Sequence, residues 1–382
     1  MKAYCLNNIS KVALDTLKAP DTIVEDINAA DSILVRSADM HETELASNIL
    51  AVARAGAGVN NIPLDKYAEK GIVVFNTPGA NANAVKELVL AGMLLASRDI
   101  IGGNNWVKEN ANDANIAKSM EKAKKAFAGN EITGKTISVL GLGAIGILVA
   151  NMAVDLGMKV IGYDPYLSIQ NALKLNKNVK FVEKVEDAVK GADFISIHVP
   201  AMDSTKKMLN KELFNLANKG VVVLDFARDT LVNEDDIKAA LESGQVGKFV
   251  TDFANPVVVT FPNTIVLPHL GASTEEAEDN CALMAIDELK DYVENGNIKN
   301  SVNYPALNAG AKTADVRICI NHKNVPGMIA KFSEIIMKDG ANINTLTNKS
   351  KGEFAYTIID IDKNVDANKL QAVEGTLRVR VI

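Results

Sequence analysis

Arg228 follows the apolar run 221–225, and His269 follows the apolar run 264–267. Alone, the first is a surface charge at a strand end and the second a satisfied core or cleft residue. A third feature changes that reading. The stretch Thr136-Ile-Ser-Val-Leu-Gly-Leu-Gly-Ala-Ile-Gly146 places an apolar run ahead of Gly141-x-Gly143-x-x-Gly146, and a buried-helix pattern follows over 147–156. In such a turn the first glycine lets the chain leave the strand, the second lets backbone approach a pyrophosphate, and the third lets helix and strand pack closely. The helix N-terminus directs free N–H groups and partial positive charge at the phosphates. A second strand, 159–163, ends at Asp164, where a carboxylate can bind an adenosine ribose diol. Pro165 and Tyr166 follow, with no arginine to hold a 2′-phosphate, so the expected cofactor is NAD rather than NADP. Ligands of open parallel sheets bind beyond the carboxyl ends of the strands, where Arg228 and His269 fall. A guanidinium there suits clamping a carboxylate and polarising a carbonyl. An imidazole suits taking a hydroxyl proton. Together they point to hydride transfer between NAD and a 2-hydroxy acid.

These groups need a scaffold, and the apolar pattern supplies one. Near the N-terminus, 32–35, 49–53 and 72–75 read as strands, ending at Arg36-Ser37, Arg54-Ala-Gly-Ala-Gly58 and Asn76-Thr-Pro-Gly79. Asn81 or Asn83 then caps a helix through Ser97. The polar stretch from Gly102-Gly103 to Lys125 reads as a linker with an outer helix, and Trp106 within it as a packing anchor or subunit contact. Beyond the glycine turn, strands at 194–198, 221–225, 248–251 and 264–267 alternate with helices at 185–190, 212–218 and 234–243. That order implies a parallel, doubly wound sheet. A Ser273-x-x-Glu276 capping box opens a helix to about Glu294, which carries the chain back to the N-terminal unit. After a small, polar linker at 306–313, the tail reads β-α-β-β-α-β: strands 317–320, 342–347, 355–361 and 377–381, helices 328–338 and 366–371. The expected fold class is α/β, with two doubly wound, Rossmann-like domains and a C-terminal ferredoxin-like domain. The expected bounds are 1–98 plus 270–305, 99–269 and 314–382.

The length of 382 residues and a hydrophobic content of 48% suit two or three domains with substantial cores. A net charge of −6 argues against a nucleic-acid surface. Cys5, Cys281 and Cys319 are scattered and lack metal-ligand spacing, so no metal is expected and a reducing compartment fits. The first residues lack the apolar core of a signal peptide, and the longest apolar run is broken by Asn151 and Asp155. A soluble, cytoplasmic protein without membrane contact is expected.

The chain resembles the D-isomer-specific 2-hydroxyacid dehydrogenase family. The resemblance is carried by Leu34-Val-Arg-Ser37, Arg54-Ala-Gly-Ala-Gly-Val59, Val74-Phe-Asn-Thr-Pro78, Gly134-Lys-Thr136, the glycine turn, His198-Val-Pro200, Phe226-Ala-Arg228 and Pro268-His-Leu-Gly-Ala-Ser-Thr274. It implies that Arg228 binds the substrate carboxylate and that His269 is the acid/base. Cofactor contacts are implied for Ala144, Ile145, Asp164, His198, Ala227 and Asp252, beside Gly141, Gly143 and Gly146. Arg36, Arg54, Asn81 and Asn83 match substrate-side positions, and two arginines suit a phosphorylated substrate, 3-phospho-D-glycerate. The family's histidine is oriented by a glutamate before a proline. Here Thr251-Asp-Phe-Ala-Asn-Pro256 places Asn255 there, which can accept a hydrogen bond from the imidazole but cannot offset its positive charge. Asp229 stands where glycine is usual. The tail resembles an ACT domain in Asn321-His-Lys-Asn-Val-Pro-Gly-Met-Ile329 and Gly340-Ala-Asn-Ile343, which implies that His322, Asn324 and Asn342 bind L-serine between paired domains of a homo-oligomer, dimer or tetramer. The alternatives are a dehydrogenase for another D-2-hydroxy acid, or a NAD-sensing protein that has lost turnover.

Overall fold

Three sheets organise the chain in the computed structural model, which describes residues 1–382. The first contains β1 (Lys2–Cys5), β2 (Thr22–Ile23), β3 (Ser32–Val35), β4 (Ala51–Arg54) and β5 (Val73–Asn76), all parallel, in the order β2-β1-β3-β4-β5. The second contains β6 (Thr136–Leu140), β7 (Lys159–Tyr163), β8 (Lys180–Val182), β9 (Phe194–Ile197), β10 (Val221–Asp225), β11 (Val246–Thr251) and β12 (Thr264–Val266). It too is parallel, in the order β12-β11-β10-β9-β6-β7-β8. The order reverses between β6 and β9, so the glycine turn after β6 opens at the switch point of the sheet. The central strand β10 reads Val-Val-Val-Leu-Asp and is buried throughout, as a strand covered on both faces must be.

By contacts the chain divides into one unit of Met1–Asn81 with Glu275–Ile382, and a second of Ala82–Thr274. The helix Ala82–Ser97, expected with the N-terminal strands, lies in the second unit. Its Val85, Val89 and Met93 share a core with Val139, Ile147, Leu224 and Val250. Gly92 permits that approach, since a Cβ there would lie 3.0 Å from the Phe226 ring. The helix Glu275–Asn295 starts within the expected capping box, and the Ser273 hydroxyl donates to the His269 carbonyl, 3.3 Å away.

Gly102-Gly103 does not interrupt the chain as a linker would. Both lie inside the helix Ile100–Glu109, capped by Asp99, which accepts from the Gly102 N–H at 2.9 Å. A second helix, Ile116–Ala123, follows, and Trp106 meets the Phe127 ring with centroids 6.5 Å apart.

The tail forms β13 (Val316–Lys323), β14 (Ile343–Lys351), β15 (Phe354–Ile361) and β16 (Thr376–Val381), antiparallel in the order β14-β15-β13-β16. The helices Met328–Lys338 and Ala367–Gln371 complete the β-α-β-β-α-β order. One face of this sheet joins the core of the first unit, where Cys319, Tyr356 and Ile358 pack with Phe75, Tyr292 and Tyr304. The segment 306–313, expected to be a linker, is tied down: Leu307 pairs with Ile298, and the Asn297 side chain bonds Ala309 N–H and the Gly310 carbonyl.

Candidate functional site

The three glycines are held by three different constraints. Gly141 has φ +92°, and a Cβ there would lie 2.8 Å from the His198 carbonyl. Gly146 packs its helix on the turn, where a Cβ would fall 1.8 Å from the Gly141 oxygen. Around Gly143 nothing lies within 4 Å of the position a Cβ would take. That open volume sits at the start of the helix Ala144–Asp155, with Ala144 and Ile145 in its first turn, and is where a pyrophosphate requires backbone without side chain. At the end of β7, Asp164 braces the same turn, accepting from Leu142 N–H at 2.9 Å and Tyr166 N–H at 2.8 Å. Tyr166, Ile169 and Leu173 beside it are exposed apolar side chains, a surface suited to a flat apolar ring that the sequence reading did not pick out. His198, just past β9, lies 2.8 Å from the Ser196 hydroxyl through Nε2, while its buried Nδ1 has no protein partner. Burial pushes this imidazole down to about 4, so it is neutral at physiological pH.

The other half of the site lies at the carboxyl ends of β10, β11 and β12. Asp225 closes β10 and takes the Ala227 and Arg228 N–H groups, at 3.0 and 3.3 Å, on one carboxylate oxygen. Arg228 itself is exposed, with Nη1 donating to the Ala227 carbonyl at 2.6 Å. Asp252, past β11, is buried; its Oδ2 accepts from Gly271 N–H at 2.7 Å and its carbonyl from His269 N–H at 2.9 Å. His269 sits at φ +51°, a strained backbone for a side chain of its kind, with its ring 5.0 Å from that of Phe253. Burial raises the Asp252 carboxyl, while the Gly271 N–H and the charges of His269 and Arg228 oppose the rise. Thus Arg228 and His269 both lie within electrostatic reach of one carboxylate. Its second oxygen, Oδ1, is buried without a protein partner, and a carboxamide N–H is the kind of donor it lacks. The residues present therefore fit a nicotinamide dinucleotide.

Asn255 does not serve the imidazole. Its side-chain oxygen accepts from Val257 and Val258 N–H, at 2.9 and 2.8 Å, and its amide donates to Glu234 at 2.7 Å. The reading that it accepts a hydrogen bond from His269 is thereby corrected: a local turn takes its oxygen and Glu234 takes its amide.

A model of the D-isomer specific 2-hydroxyacid dehydrogenase NAD-binding domain matches residues 90–271. Among curated relatives, the Haemophilus influenzae D-3-phosphoglycerate dehydrogenase is 29% identical over 100% of this chain and 97% of its own length. Residues 90–271 thus match the NAD-binding domain of the D-isomer specific 2-hydroxyacid dehydrogenases. A Methanocaldococcus jannaschii D-3-phosphoglycerate dehydrogenase is 33% identical over 79% of the chain, which spans 57% of that relative. Among solved structures, the NAD+-bound 3-phosphoglycerate dehydrogenase of Entamoeba histolytica aligns with a TM-score of 0.61 at 26% identity, over 80% of this chain and 99% of that one. A D-2-hydroxyisocaproate dehydrogenase shares the fold, with a TM-score of 0.64 at 23% identity over 79% and 100% of the two chains.

The remaining residues singled out in the sequence have varied surroundings. In the first unit, the Arg36 guanidinium pairs with Glu278, and Arg54 Nε donates to the Arg36 carbonyl at 2.9 Å. Asn81 precedes the helix Ala82–Ser97, and Asn83 lies in its first turn with its side chain bonded to Lys86 and Glu87. In the tail, His322 is buried, with Nδ1 2.8 Å from the Lys323 carbonyl and Nε2 2.8 Å from the Thr357 hydroxyl. Asn324 donates to the Gly352 carbonyl and Asn342 to the Asn344 side chain; both are exposed.

Proposed function

We propose that this protein oxidises 3-phospho-D-glycerate to 3-phosphohydroxypyruvate with NAD, the first step of L-serine synthesis. The observation that carries the reading is end-to-end similarity, tail included, to a relative named for that substrate. In this reading Arg228 holds the substrate carboxylate and polarises the oxygen at C2. Oxidation there releases a hydride and a proton; the His269 imidazole takes the proton, and bound NAD supplies the hydride acceptor. The open turn at Gly143 takes the pyrophosphate, Asp164 the ribose diol, and the free Asp252 oxygen the carboxamide. His198 and Ala227 flank the cofactor, Arg36 and Arg54 serve the phosphate, and Asn81 and Asn83 are read as further substrate-side residues. The tail is read as an L-serine-responsive ACT domain using His322, Asn324 and Asn342, in a cytoplasmic homo-oligomer. The exposed strand β14 and the exposed Ile100, Ile101, Val107 and Met120 support self-association. The test is steady-state NADH formation with 3-phosphoglycerate, D-glycerate and D-lactate, with and without L-serine. The phosphorylated acid should lead in kcat/KM by about 100-fold or more, in keeping with charge-assisted phosphate contacts. Equal values for the three acids would reject the substrate, and a rate indifferent to serine would reject the effector.

A further inference from the structure

We infer that Asp225 is the positioning residue for Arg228: its buried carboxylate fixes the turn that presents the guanidinium to the substrate carboxylate. The inference rests on the proposed role of Arg228 and deepens it.

Asp225 is 1% exposed and is the last residue of β10, where Ile197 of β9 and Thr251 of β11 flank it in register. The anchor is therefore in the middle of a seven-stranded sheet. From it, one oxygen receives both the Ala227 and the Arg228 N–H, and the guanidinium folds back onto the Ala227 carbonyl between them. Strand end, carboxylate, turn and guanidinium form one connected chain of hydrogen bonds. The other oxygen, Oδ2, is buried with no protein partner. Asp225 lines a cavity of about 10 Å³ with Asp229, Glu234, Thr251 and Phe253, at the limit of what admits one water.

An asparagine could make the same turn, so the acid adds something an amide would not: a charge that comes and goes. The charged groups facing Asp225 are Asp229 on the following turn, Glu234 at the start of the helix Glu234–Ser243 and Asp252 at the end of β11, while Arg228 reaches it through its backbone N–H. Three carboxylates thus face it. Burial first, then the charges of Asp252 and Asp229, push its carboxyl up to about 7 against the two N–H bonds. When ionised it holds the turn through charge-assisted bonds, which are roughly twice as strong as neutral ones. When protonated it holds the turn more loosely. Carboxylate binding should consequently weaken as pH falls through neutrality.

The experiment measures the Kd of oxalate for the full-length protein saturated with NADH, from pH 5.5 to 9, in the wild type, Asp225→Asn and Asp225→Ala. Oxalate carries the carboxylate but undergoes no turnover, so the result is independent of which acid is oxidised. The wild type should bind more weakly below neutrality, and Asp225→Asn should lose that inflection while staying within about threefold at pH 8. Asp225→Ala should weaken oxalate about tenfold, the scale of lost hydrogen bonds to a buried turn. A retained inflection in Asp225→Asn overturns the inference, even if Asp225→Ala fails to fold. So does unchanged oxalate affinity in a folded Asp225→Ala, or no oxalate binding by the wild type. Failure to oxidise 3-phosphoglycerate, by contrast, rejects the substrate and leaves these results standing.

Discussion

Arg228 does its work through position. Its guanidinium sits where carboxylates meet the ends of β10 and β11, and its planar fork has a geometry that a shorter amide cannot supply. Replacing Arg228 by Gln should cut kcat/KM about 100- to 1000-fold, the scale of a lost transition-state contact. Stability should hold, because the side chain is exposed and its one hydrogen bond is to its own turn; unchanged kcat/KM would remove it from the site. Arg228 and His269 were legible in the sequence because a strand in a parallel sheet delivers its next residues to the carboxyl edge. Asp225 and Asn255 were not. The partners that define them lie off the local chain: Glu234 is 21 positions from Asn255, and the charges on Asp225 come from Asp252 as well as Asp229. No spacing rule anticipates which polar atoms a fold leaves alone.

At the scale of elements, the glycine turn separates two demands that a motif presents together. Gly143→Ala should fold like the parent, since nothing lies within 4 Å, and yet weaken NAD binding by about tenfold or more by filling the phosphate's space. Gly146→Ala forces a methyl against the Gly141 oxygen, 1.8 Å away, and should cost roughly 3 kcal/mol or more of stability. Equilibrium denaturation and NAD titration of the two variants distinguish these outcomes; equal stability loss in both would refute the assignment of roles. Long apolar strands such as β6 and β10 were readable from residue type alone. β1, β2 and β8 were missed because they carry no unbroken apolar run: Lys-Ala-Tyr-Cys, Thr-Ile and Lys-Phe-Val are mostly exposed or half-buried. Gly102-Gly103 misled for another reason: the Asp99 cap and the Trp106–Phe127 contact hold a helix that local propensity disfavours.

Across the whole molecule, the tail is bonded into the first unit, which composition did not reveal because 306–313 looks like any small polar connector. Arg317 is the centre of that attachment. Its guanidinium pairs with buried Asp360 at 2.7 and 2.9 Å and donates to the Asn295 and Gly310 carbonyls. Arg317→Ala strands that carboxylate and should cost roughly 3–5 kcal/mol, read as a lower denaturation midpoint. Glu288, buried in the helix Glu275–Asn295, is pushed up to about 7 mainly by burial, against the hydrogen bond from Asn300. A raised acid binds protons more tightly when folded, so it lowers stability as pH rises from about 4.5 to 7 and keeps it low above. Glu288→Gln should therefore gain roughly 2 kcal/mol at pH 8 and nothing below pH 4.5, whereas a pH-independent effect would contradict the assignment. The most direct test of the account as a whole follows NADH formation from 3-phosphoglycerate and NAD in the wild type and in His269→Asn, with NAD affinity measured on both. The wild type should turn over, and the variant should lose about 100-fold or more in kcat with NAD affinity unchanged. A His269→Asn enzyme that oxidises 3-phosphoglycerate at the parental rate would contradict the acid/base role of the imidazole.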